Sequence, residues 1–139
     1  MGGTNLRVCE VELPEEKGEF DTTQSKYRMP AELKTGTGEE LWDHNASCLQ
    51  QFGECHHESE ELDQLPLGFT LPCPATQDYI DHGVLRRWTE GFDIEGVEGH
   101  DVVPPFEAAL RETVQLSRLL VPPKRGSDVR IRRKPCAAR

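Results

Sequence analysis

Apolar and polar residues alternate from Leu6 to Leu13, with Leu6 and Val8 on one face and Cys9, Val11 and Leu13 on the other. A period of two is the mark of a half-buried strand. Pro14 to Gly18 reads as a polar turn and Phe20 to Tyr27 as the antiparallel return strand, so the chain opens as a meander. Thr37-Gly38-Glu39-Glu40 has the spacing of a capping box, and Leu41, Cys48, Leu49 and Phe52 then recur on one helical face. The pattern predicts a helix over about 38–52, with Gly53 placed to end it. Glu54 to Gln64 is acidic and without period. Leu65 to Leu71 reads as a short strand running into Pro72 and Pro74, Val84 to Trp88 as a second, and Gly91 to Gly99 as a loop. Val102 to Thr113 is expected to be helical, with Pro104 and Pro105 in its first turn.

Just before the first strand stand Gly2, Gly3, Thr4 and Asn5. Adjacent glycines let backbone N–H groups approach an anion, and the Thr and Asn side chains add donors at the same corner. The turn is suited to phosphate, although Gly-Gly-Thr alone is also what an ordinary glycine turn looks like.

Composition makes the expected core lean. Of 139 residues, 35% are apolar, and 12 Gly and 10 Pro point to much turn and loop. The mean hydropathy is −0.64. The net charge of −9 conceals an asymmetry: residues 1–110 carry 7 Lys/Arg and 23 Asp/Glu, residues 111–139 carry 9 and 2. An acidic body argues against nucleic acid or an anionic membrane as the main partner. No apolar run approaches the roughly 18 residues of a membrane span, and the first residues lack the pattern of a secretory signal. Five cysteines without paired short spacing suit free thiols in a reducing, cytoplasmic setting.

Several separated segments together resemble the hexokinases. Gly2 to Val8 is similar to their first phosphate segment, Leu33 to Leu41 to the opening of the small-domain helix, and Leu67-Gly68-Phe69-Thr70 to the strand leading to the sugar. Ile80 to Leu85, Trp88-Thr89 with Gly91-Phe92-Asp93, and Val97 to Pro104 resemble the fungal glucokinase-like branch, in the same order. The resemblance covers about residues 2–110. It implies an α/β fold, part of the actin-like, ribonuclease H-like architecture: a hexokinase small domain incomplete at both ends. It also implies a cytoplasmic, ATP- and Mg²⁺-dependent phosphorylation of a hexose such as glucose at its 6-hydroxyl, with the rest of a full-length hexokinase as the missing partner.

The resemblance assigns ATP phosphates to Gly2, Gly3, Thr4 and Asn5, and the sugar to Pro72, Cys73, Pro74, Thr89 and Glu90. Two of these segments depart from the family. Pro72 and Cys73 stand where the family has Ser and an aromatic residue, and Glu90 stands where it has Lys. A proline offers neither hydroxyl nor N–H, and a thiol is a weak donor. A carboxylate ~6 Å from a phosphoryl oxygen, at an effective dielectric of ~20, repels it by about 3 kcal/mol, roughly a hundredfold in affinity or rate. A neutral sugar is less affected, because a carboxylate accepts bonds from its hydroxyls.

The resemblance implies that the general base is an Asp in an Asn-Asp-Thr segment, which this chain does not contain. Neither Asp101 nor Asp128 sits in a matching motif, so no catalytic residue and no metal ligand is assigned, and the chain alone is expected to be inactive. A non-catalytic hexokinase-like sugar sensor or regulatory binding protein is the alternative the replaced positions motivate. Residues 1–113 are expected to form the phosphate hairpin and small domain, and 114–139 a basic, disordered tail, its abrupt change of composition fitting a frame or splice discontinuity. Cys55-His56-His57 reads as a solvated loop rather than a metal site, and Asp81 and His82 as turn residues.

Overall fold

The computed structural model describes residues 1–13, 18, 20–56 and 65–120. Strand β1, Asn5–Glu12, pairs antiparallel with β2, Asp21–Arg28, in a register that sets Leu6 opposite Tyr27 and Val8 opposite Ser25. Leu6 and Val8 are buried and Cys9, Val11 and Leu13 exposed, so the alternation has the expected sense. The Met29 amide donates to the Thr4 carbonyl at 3.0 Å, which anchors the Gly2–Asn5 turn to the far end of β2. Of the expected Pro14–Gly18 turn, Gly18 alone is described.

A short 3₁₀ turn, Glu32–Lys34, precedes helix α1, Gly38–His56. The capping box forms in both directions: the Glu40 carboxylate accepts from the Thr37 amide at 2.9 Å, and the Glu40 amide donates to the Thr37 hydroxyl at 3.3 Å. Leu41, Trp42, Asn45, Ala46, Cys48, Phe52 and Gly53 are buried. The helix does not stop at Gly53. A glycine ends a helix by taking positive φ, and Gly53 stays helical against the interior, so α1 runs on to His56. Cys55 and His56 therefore occupy its last turn rather than a loop, and His57 lies outside the described residues.

Leu65 to Leu71 is not a strand. A strand exists through its partner, and among the described residues none lies alongside it. Phe69 and Leu71 nevertheless pack against the core. The expected strand from Val84 to Trp88 shortens to β4, Val84–Leu85, paired with β3, Ala75–Thr76. The Arg86 amide still bonds to the Pro74 carbonyl at 2.8 Å, but proline has no N–H to return, so the ladder ends there.

Residues 91–99 form a loop whose Phe92, Ile94 and Val97 turn inward. Helix α2 runs Val103–Leu120, beginning with Pro104 and Pro105 where no backbone donor is lost, and it continues past Thr113, where the sequence pattern ends. Of the tail expected from residue 114, only 114–120 are described, and they are helical.

Helices α1 and α2 pack together over an aromatic cluster: Trp42 and Phe106 have ring centroids 5.9 Å apart, Phe69 and Phe106 4.8 Å. Burying a large apolar side chain contributes about 1.5–3 kcal/mol, so this cluster holds the site-bearing loops to the helices. Among the described residues, Cys9, Cys48 and Cys73 are free thiols. Cys55 is disulfide-bonded, against the expectation that all five cysteines are free.

Candidate functional site

Three segments far apart in sequence meet at one place. The first is the Gly2–Asn5 corner, closed by the Gly2 amide donating to the Asn5 carbonyl at 2.9 Å, with the Asn5 Nδ2 donating to the Thr4 hydroxyl at 2.8 Å. The second is the Pro72–Pro74 segment, and the third the turn from Thr89 to Phe92.

That turn is closed by the Phe92 amide bonding to the Thr89 carbonyl at 3.1 Å. Its two central residues, Glu90 and Gly91, have φ of 59° and 77°, the combination of a type I′ turn. Glycine adopts this region freely, whereas for glutamate it costs about 1–2 kcal/mol. Trp88 fixes the flanks: its ring stacks on Phe92 at 5.4 Å, its Nε1–H donates to the Ile94 carbonyl at 3.0 Å, and its amide donates to the Glu98 carboxylate at 2.6 Å.

Thr89 joins the third segment to the second. Its hydroxyl lies 3.3 Å from the Pro72 carbonyl and 3.3 Å from the Cys73 sulfur, so its proton is directed into the protein while its oxygen lone pairs remain able to accept. Cys73 is buried beneath it, and Pro72 and Pro74 are exposed.

Glu90 joins the third segment to the first. A Cβ at Gly3 would stand 2.6 Å from the Glu90 carboxylate and 2.8 Å from its Cβ, so only glycine allows this approach. The turn therefore has a carboxylate against its face. Among the described residues no group of three or more His, Cys, Asp or Glu could hold a metal ion. With the Glu90 carboxylate against it, the Gly2–Asn5 corner favours neutral, hydroxyl-bearing ligands over a polyphosphate.

The sequence reading missed Lys34. Its ammonium lies 3.3 Å from the Glu90 carbonyl oxygen and 5.4 Å from the centroid of the Phe92 ring. Two hollows, of about 400 Å³ between α1 and α2 and about 500 Å³ beside Tyr27 and His44, are lined by none of the expected site residues.

The remaining candidates have structural roles. The Asp101 carboxylate accepts from the Gly83 amide at 3.0 Å and the Val103 amide at 3.1 Å, tying β4 to the start of α2. Burial pushes its pKa up, but those two amides and the nearby His82 outweigh it and hold the pKa below the ordinary carboxylate range. His82 accepts from the Asp78 amide at 3.5 Å within its own turn. The Cys48 thiol lies 3.6 Å from His44, and burial pushes it up to about 11, which leaves it protonated at neutral pH.

The hexokinase family model matches residues 1–121. The chain belongs to the hexokinase family. It is 69% identical to the hexokinase of Emericella nidulans over 112 residues, which are 81% of this chain and 23% of that relative. It is 39% identical to hexokinase-1 of Bos taurus over 112 residues, 80% of this chain and 12% of that relative. The hexokinase of Schistosoma mansoni, solved in complex with glucose, superposes with a TM-score of 0.74 at 37% identity, covering 81% of this chain and 24% of that one. The chain thus spans about a quarter of the length of the E. nidulans relative, and its α/β fold is that of a hexokinase segment.

Proposed function

We propose that this hexokinase segment forms the sugar-side wall of an enzyme that transfers a phosphoryl group from ATP to the 6-hydroxyl of a hexose, glucose first among them, in the cytoplasm. The observation that carries the reading is the convergence of Thr89 on Pro72 and Cys73, and of Glu90 on Gly3, at one surface. In this reading the Thr89 oxygen and the Glu90 carboxylate accept bonds from sugar hydroxyls, and the Pro72 to Pro74 segment shapes the floor. Gly2 to Asn5 supply the corner toward which ATP phosphates would be directed, a role that the Glu90 charge opposes. Residues 1–113 carry the site, and the basic tail takes no part in it.

The phosphoryl-transfer role belongs to the whole enzyme, since this chain has no Asn-Asp-Thr segment to supply a base. Isothermal titration of the purified chain with glucose tests the reading, alongside a coupled assay with ATP and Mg²⁺. Saturable sugar binding without turnover is expected, and binding weakened by Thr89→Val would assign it to this surface. Absence of any glucose binding would overturn the reading for this chain.

A further inference from the structure

We propose that Lys34 is a positioning residue for the sugar turn: it holds Glu90 in its left-handed conformation and so presents Thr89 and Glu90 to the Gly2–Asn5 corner. The inference rests on the reading of that surface as a sugar site, but its geometry stands apart from it. Lys34 falls in the Leu33 to Leu41 segment that resembles the family, but nothing in the sequence links it to Glu90, 56 residues away.

Three contacts converge on this residue. Its ammonium bonds the Glu90 carbonyl at 3.3 Å, the same ammonium sits over the Phe92 ring at 5.4 Å, and its own carbonyl accepts from the Asp93 amide at 2.7 Å. The side chain therefore grips the turn at its first central residue and at its last residue, while the backbone secures the residue beyond. Glycine alone would take the conformation of position 90 without outside help, and a glutamate there needs a partner that the turn's own residues do not provide. The turn and its loop also carry Glu90, Asp93, Glu95 and Glu98 and no Lys or Arg, so the positive charge comes from the 3₁₀ turn before α1. The Gly3 contact depends on this arrangement. With a Cβ position at Gly3 only 2.6 Å from the Glu90 carboxylate, a change of φ at Glu90 moves the carboxylate away from the corner.

The test compares the wild type with Lys34→Met and Lys34→Arg by NMR and by glucose titration. Lys34 is half-buried at the surface, so neither substitution removes a core side chain, and persistence of Trp42–Phe106 cross-peaks verifies the fold. In Lys34→Met the Gly3–Glu90 cross-relaxation peak is expected to vanish, the Glu90 amide coupling to leave the left-handed range, and glucose affinity to fall about tenfold. Lys34→Arg is expected to retain all three, because a guanidinium also donates and also stacks on an aromatic ring. A Gly3–Glu90 peak that survives in Lys34→Met overturns the proposal. A lost peak with unchanged glucose affinity, or with no glucose binding even in the wild type, upholds the positioning role and overturns the sugar reading instead. Should the methionine variant lose its core cross-peaks, Lys34→Gln is read by the same criteria.

Discussion

Glu90 concentrates the tension in this molecule. It occupies a left-handed position, faces Gly3 across less than the width of a side chain, and carries negative charge where its relatives' resemblance leads one to expect a lysine. Asparagine tolerates the left-handed region better than glutamate, since its short side chain bonds locally to the backbone. Glu90→Asn is therefore expected to stabilise the chain by about 1 kcal/mol, seen as a higher urea midpoint with unchanged slope. A lower midpoint would show that the carboxylate itself holds the corner together. The same substitution removes the charge beside Gly3 without enlarging the side chain.

Among the elements, the junction of β4 with α2 depends on one carboxylate. Asp101 has a folded-state pKa below its unfolded value, so the stability it adds is present above the ordinary aspartate range near pH ~4 and is lost as pH falls through the depressed folded value. Asp101→Asn keeps an acceptor for Gly83 and Val103 but removes the charge at the start of α2. It is expected to lower stability at pH 7, a difference that closes as both proteins are taken in acid through the depressed folded value. Urea titrations at pH 7 and in acid measure it, and a pH-independent difference would refute the assignment. What could be read from sequence at this scale was local. The capping box of Thr37 and Glu40 and the alternation of β1 are each specified within a few residues, and both form as expected. Features that depend on remote partners were not legible. Gly53 reads as a stop until its burial is known, Leu65 to Leu71 has the composition of a strand but no strand to pair with among the described residues, and Lys34 acts across the fold on a turn it never adjoins in sequence. The expected site residues did come together, because the Trp88, Phe92 and Ile94 contacts that fold the turn lie close along the chain, yet their meeting with Gly3 is a tertiary event.

At the level of the whole molecule, the described residues build one aromatic-centred core that supports two small two-stranded sheets and two α-helices. Ile80 is 96% exposed and Leu13 82%, joined at the surface by Phe20 and Tyr79, so apolar area that stabilises nothing is left in water. Paired sheets of two strands are marginal by themselves. The chain is expected to unfold broadly, with a midpoint below the roughly 45–65 °C typical of mesophile domains, and scanning calorimetry would contradict this with a sharp transition inside that range. The sulfur of Cys73 offers a way to watch the site at finer resolution. It is shut away beneath the Thr89 hydroxyl, whereas the Cys9 sulfur on the hairpin is open to solvent. A thiol reagent meets Cys9 at once but reaches Cys73 only in the moments when the Thr89 latch has lifted. The two sulfurs thus give the protein its own clock: the ratio of their modification rates counts how often the wall of the site swings open.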